Sequence, residues 1–155
     1  MHQTNTMGLE KDINQKNFRN ERQKAMINLT YTHNWMAEQF KFHLDRFGLT
    51  TQQFNILRIL RGAGSPLSTL RIRERMLDKM SDTSRIVDRL ILKGFVKKTI
   101  CSQDKRLVDV IITEEGLQTL KQIDELSDEL DGIMKGLNDN EAMQLNTLLD
   151  KLREN

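Results

Sequence analysis

Asp82, Arg85 and Arg89 stand three and four residues apart, so on a helix they share one face. A guanidinium there offers a planar fork of donors that suits guanine O6 and N7. A carboxylate beside it can accept from cytosine N4 or stabilise the start of the helix; for Asp82 the second role is favoured. Ser81, Thr83 and Ser84 add short hydroxyls in the first turn, where a helix lying in a major groove touches base edges. Further along, Asp104, Lys105 and Arg106 form a second polar group. Asp104 is close enough in sequence to orient the Arg106 guanidinium, and a pre-aimed Arg loses less entropy on entering a narrow groove. These residues are the candidate contacts to double-stranded DNA.

Other chemistries find less material. One Cys excludes a disulfide framework and any multi-thiolate zinc site. Cys101 could form a low-pKa thiolate only with help from Lys97 or Lys98, which leaves it a minor redox candidate. His33 and His43 lie on a helical stripe with no second ligand pair at matching spacing, so no metal site is expected. No Gly-rich phosphate loop and no nucleophile–base pair stand out, so neither an enzyme nor a cofactor is expected. No apolar run exceeds three residues, far short of a membrane span or a signal-peptide core. The expected compartment is a reducing cytoplasm.

The elements that must carry the candidate contacts can be read from turn signals. Residues 1–16 form a polar tail with no periodicity. Residues 17–49 contain Met26, Leu29, His33, Met36, Phe40, His43 and Phe47 at alternating steps of three and four, which predicts one long helix ended by Gly48. A second stripe, Ile27, Tyr31, Trp35 and Phe42, gives that helix another apolar face, suited to a second copy of the chain. Residues 50–113 read as a helix capped by Thr50 or Thr51, with Phe54, Leu57, Ile59 and Leu60 facing inward. A short helix follows, capped by Ser68 and carrying Leu70, Ile72, Met76 and Leu77. A third, capped by Ser81, turns Ile86, Val87, Leu90 and Ile91 inward. Val96–Cys101 and Leu107–Ile112 then form a hairpin with Ser102–Arg106 at its tip. A helix pair followed by a basic-tipped hairpin is a winged helix: the second helix enters a major groove and the wing reaches backbone or minor groove. In residues 114–155, Thr113 caps a stripe from Leu117 to Leu137, and a last helix follows Asn138. The fold class is therefore mainly α with a small β-hairpin wing, a winged helix-turn-helix flanked by long N- and C-terminal dimerisation helices.

The whole-chain net charge of +2 conceals this plan. Residues 50–113 hold 13 basic and 6 acidic side chains, +7, whereas residues 114–155 hold 4 basic and 11 acidic, −7. A basic block is the footprint expected for a polyanion, and an acidic segment should point away from phosphate.

The segment Ser81-Asp82-Thr83-Ser84-Arg85-Ile86-Val87-Asp88-Arg89-Leu90, then Lys93-Gly94-Phe95-Val96, Asp104-Lys105-Arg106 and Val110-Ile111-Ile112-Thr113-Glu114-Glu115-Gly116, resembles the MarR family of bacterial winged-helix regulators over about residues 25–153. The resemblance implies a homodimer on a pseudo-palindromic operator, with repression relieved by a small effector, often aromatic or phenolic. It implies DNA roles for Arg85, Asp104 and Arg106. A ligand pocket is expected where the first helix meets the winged helix, near Tyr31, Trp35 and Phe54. The alternative is a winged-helix module that binds protein and not DNA. Two features depart from the usual helix-turn-helix pattern: Arg73 stands where a small Ala is common, and no Gly follows Leu77. Cys101 does not match the reactive first-helix Cys of the family's peroxide-sensing branch.

Overall fold

The computed structural model describes residues 8–154. They divide into two compact units that meet between Gln39 and Phe40, inside a long helix.

The first unit departs from the sequence expectation at its start. Met1–Met7, part of the expected tail, lie outside the described residues. Leu9–Asp12 form a short helix, α1, with Leu9 only 5% exposed. A lone buried Leu leaves no period in the sequence, so this element was illegible. The Glu10 carboxylate accepts from the Lys24 ammonium, which lowers the Glu10 pKa and raises that of Lys24, and Lys24 also lies over the Phe18 ring. The long helix α2 spans Glu21–Asp45 and not 17–49. Its start is delayed because the Asn20 side chain accepts from the Gln23 N–H, as a cap does. It ends where Leu49 N donates back to the Leu44 carbonyl and Gly48 takes φ 63°. Within α2 only Leu44 is buried, and Met26, Tyr31, Trp35 and Phe42 are exposed.

The second unit is the winged helix with its following helices. Helix α3 (Thr51–Ala63) starts at a capping box: Thr50 Oγ1 accepts from Gln53 N, and Gln53 Oε1 accepts from Thr50 N. Gly64, at φ 63°, closes it. Helix α4 (Thr69–Arg75) is capped by Ser68 as expected, but Leu70 and Leu77 point to solvent and only Ile72 and Met76 are buried. A helix this short offers one inward side, and Ile72 and Met76 fill it. Helix α5 spans Thr83–Leu92. Strands β1 (Val96–Ile100) and β2 (Val108–Ile112) pair antiparallel with Val96 opposite Ile112. Leu67 adds a bridge to Val110, its N–H and carbonyl both bonded across. Sequence reading missed it, because one paired residue after Pro66 carries no strand pattern.

Leu57 and Leu60 of α3, Ile72 of α4, Val87 and Leu90 of α5, and Val96 and Val110 of the wing meet in one core with Leu44, Leu120 and Ile123. Each such side chain stabilises the fold by roughly 1.5–3 kcal/mol through area removed from water. The stripe from Leu117 to Leu137 is not one helix. It divides into α6 (Glu114–Asp124), α7 (Ser127–Asp131) and a 3-10 turn (Gly132–Met134), because Leu126 N donates to Ile123 O and tightens the chain there. Helix α8 (Asp139–Arg153) begins at an Asn138–Glu141 capping box, and none of its described residues is buried.

Where α6 meets the wing, two backbones touch. A Cβ on Gly116 would lie 2.4 Å from the Phe95 carbonyl oxygen and 2.7 Å from Ile112 Cγ1. The Thr113 hydroxyl donates to Gly94 O at 2.6 Å and accepts from Gly116 N, while Thr113 N donates to Phe95 O. The Thr113-x-x-Gly116 spacing thus seats α6 directly on the start of β1.

Candidate nucleic-acid interface

The turn between α4 and α5 needs no glycine. Asp78 Oδ1 accepts from Met80 N at 3.0 Å, the Ser81 hydroxyl donates to Asp78 O at 2.7 Å, and Leu77 N donates to the Asn55 side chain at 2.9 Å. No residue from Leu77 to Ser81 has a positive φ. An Asx-type turn, anchored from α3, replaces the missing Gly.

Helix α5 begins at Asp82, not Ser81. Asp82 Oδ1 accepts from Arg85 N at 3.1 Å, while the Ser81 hydroxyl is committed to the turn behind it. The carboxylate thus sits at the positive end of the helix, the arrangement favoured from sequence. Thr83 corrects the expected face: it is 3% exposed and its hydroxyl has no hydrogen-bond partner. It falls four residues before Val87 and seven before Leu90, on the buried stripe, so it cannot meet a base edge directly. Ser84, Arg85 and Arg89 are exposed. Among the described residues neither Arg85 nor Arg89 has a carboxylate partner, so both cations are free for an external anion.

The wing tip is organised as its sequence suggests. Arg106 Nε and Nη2 donate to the two Asp104 oxygens at 3.1 and 3.2 Å, and Arg106 N donates to Oδ1 at 3.0 Å. Those hydrogen bonds, the side-chain ones first, hold the Asp104 carboxyl below its ordinary pKa. The Arg106 side chain nevertheless stays 90% exposed: the clamp aims it without covering it. Lys105 is exposed beside it. Lys98 Nζ reaches Asp88 Oδ1 at 3.3 Å and ties the wing to α5, a link sequence reading did not draw.

The profile of the MarR family matches residues 49–108, the segment from the end of α2's loop through α3, α4, α5 and the wing tip. Over that segment the chain is similar to the MarR family. It is similar to the HTH-type transcriptional repressor IacR of Pseudomonas putida, 28% identical over 128 residues that make up 82% of this chain and 76% of the relative. It is also similar in fold to a mutant MarR of E. coli solved with operator DNA. The TM-score there is 0.78 and the identity 22%, over 89% of this chain and 99% of the other. An organohalide-sensing regulator, RdhR, solved with 2,4-dichlorophenol, gives a TM-score of 0.79 at 23% identity, over 90% of this chain and 85% of that one. The MarR-family match favours a DNA-binding regulator over the protein-binding alternative.

The candidate ligand residues are divided between the two compact units. Tyr31 and Trp35 belong to the first unit, and both are exposed. Phe54 belongs to the second and lines a cavity of about 620 Å³ with Phe40, Arg58, Arg61, Leu130 and Lys135. Arg61 is held there by Asp124 through two hydrogen bonds, and Arg58 lies over the Phe54 ring at 5.7 Å. Among the described residues no group of three or more His, Cys, Asp and Glu could hold a metal ion, and no helix is long and apolar enough to cross a membrane.

Proposed function

We propose that this protein is a sequence-specific DNA-binding transcriptional regulator, a repressor rather than an enzyme, acting in the cytoplasm as a homodimer on a pseudo-palindromic operator and released by a small ligand. The observation that carries the reading is the arrangement of cations on α5 and the wing. Arg85 and Arg89 lie uncompensated on the exposed face of α5, and Arg106 is aimed outward by Asp104. Arg85 reads a major groove, Arg106 enters the flanking minor groove, and Lys105 takes backbone phosphate.

Two features support the second copy. Helix α8 leaves Met143 and Leu148 exposed, and α2 leaves Met26 and Phe42 exposed. Apolar side chains in such number on elements with almost no buried residue call for a symmetric partner. The effector takes the cavity beside Phe54, whose aromatic wall and cations suit a small aromatic or phenolic anion. It acts by binding one arrangement of the dimer better than the other.

A salt titration of duplex binding tests the DNA reading. Log K is expected to fall linearly with log salt, with a slope of about −0.9 per phosphate contact. Arg85→Ala and Arg106→Ala should each weaken binding. A flat salt dependence, or wild-type affinity in both variants, refutes it. Sedimentation at micromolar concentration tests the dimer; a monomer there refutes it.

A further inference from the structure

Between α4 and the start of α5 lies a groove of about 490 Å³ whose lining does not include Arg85, Arg89 or Arg106. Arg73 lines it, exposed and without a carboxylate partner among the described residues; the neighbouring acid, Glu74, faces Arg71 at 3.6 Å. Ser81, Thr83 and Ser84 line it from the other side. The Thr83 hydroxyl, 3% exposed, has no hydrogen-bond partner, and a buried hydroxyl in that state is costly unless something in the groove satisfies it. The cap and the first two residues of the ten-residue helix α5, Asp82, Thr83 and Ser84, are among the groove's lining. Asp82 is the one carboxylate on the rim, and an oxygen of it is already engaged by Arg85 N. The groove thus sets the Arg73 guanidinium against a single carboxylate that already serves as the helix cap. An oxyanion there meets the Arg73 guanidinium together with the Thr83 and Ser84 hydroxyls.

We propose that this groove seats one backbone phosphate of bound DNA, with Arg73 as its cation. The proposal rests on the DNA-binding reading above and adds a positioning contact to it. In a helix-turn-helix the first helix crosses the backbone while the second reads the bases, which is where Arg73 stands relative to Arg85. Leu70 and Met80, both largely exposed on the groove's lining, would flank the sugar beside that phosphate. An Arg at a position where a small residue is common then has a purpose: it fixes register on the duplex and reads no sequence.

The test is duplex binding by fluorescence anisotropy across a salt series, with a duplex recovered by selection on the full chain. Arg73→Ala is expected to weaken binding to matched and mismatched duplexes alike and to make the salt slope shallower by about 0.9 per bound protomer. Arg73→Lys should retain the slope, and the Tm of both variants should stay at the wild-type value. Thr83→Val, which removes the hydroxyl at constant volume, should lower affinity without lowering Tm. An unchanged slope in Arg73→Ala, with Arg85→Ala and Arg106→Ala weakened, overturns the phosphate seat and leaves the DNA reading standing. Wild-type binding in all three overturns both. If inorganic phosphate without DNA raises the Tm of wild type and not of Arg73→Ala, while the duplex slope is unchanged, the groove is a free-anion site and the proposal fails.

Discussion

Gly116→Ala tests the contact that joins α6 to the wing. In an ordinary helix this substitution is favourable by up to about 1 kcal/mol, because Ala restricts the unfolded chain and Gly does not. Here the new Cβ would sit 2.4 Å from the Phe95 carbonyl oxygen, a backbone atom with no rotamer to escape into. Ordinary contact begins near 3.4 Å, so α6 and the start of β1 must separate by roughly 1 Å. Overpacking of this kind costs about 1–3 kcal/mol. The separation also strains the Thr113 N–H to Phe95 bond, 3.0 Å long, worth about 1 kcal/mol. Set against the helix gain, the net loss is about 1–3 kcal/mol. For a chain of this size that lowers Tm by roughly 2–12 °C. The assay is urea and thermal unfolding at matched protein concentration, since a dimer's apparent stability depends on it. Gly62→Ala is the control: its Cβ meets nothing within 4 Å and its φ is ordinary, so stability should hold or rise. A Gly116→Ala protein as stable as wild type, or more stable, refutes the close approach and the account of the Thr113-x-x-Gly116 spacing.

Asp104→Ala removes a negative charge from the wing, so electrostatics alone predicts tighter binding. Loss of the clamp on Arg106 predicts weaker binding, and the latter is expected by anisotropy; tighter binding would sink the pre-aiming argument. Because the folded-state carboxyl of Asp104 titrates below its unfolded value, the clamp is at full strength above about pH 4 and fails as pH falls through the folded pKa. The Arg106 Nε–H resonance should therefore be constant from neutral pH down to about pH 5 and shift only below it. Asp82→Ala should cost about 1 kcal/mol of stability through the lost cap, whereas Asp82→Ser should retain it; equal losses in urea would show that charge and not capping matters. Reversing Lys98 to Asp should weaken duplex binding, and adding Asp88→Lys should recover part of the loss by restoring the link between wing and α5. No recovery in the double variant would remove the positioning role of that pair.

The winged helix was legible because each of its elements has a local signature. Ser68 and Thr113 cap where hydroxyls precede helical periodicity, and the polar run Ser102–Arg106 divides two β-rich runs. The Asp104–Arg106 clamp was legible because both partners lie in one turn. What the sequence hid was mostly decided between elements. Thr83 looks like an outward first-turn hydroxyl until Val87 and Leu90 fix which way α5 is rolled, and Ser81 looks like a cap until Asp78 claims its hydroxyl. Leu70 and Leu77 read as core by composition, yet a seven-residue helix has room for only Ile72 and Met76 on its inner side. The turn without Gly is rescued by Asn55, 22 positions earlier, which no local pattern could announce.

The placement of partners explains why a chain of net charge +2 can still address a polyanion. The acids of the C-terminal segment are used on cations that lie off the interface: Asp124 holds Arg61, and Glu129 faces Arg46 and His43. Arg73, Arg85, Arg89, Lys97 and Lys105 are left without carboxylate partners among the described residues. The interface cations that do have partners find them locally, Lys98 on Asp88 and Arg106 on Asp104, in exposed pairs too weak to neutralise a site but sufficient to orient one. Acid and base are therefore not balanced against each other across this fold. Asp124 and Glu129 serve cations away from α5 and the wing, whereas Asp88 and Asp104 orient cations on the wing. The field at α5 and the wing is then set by local sums, which the overall charge does not report.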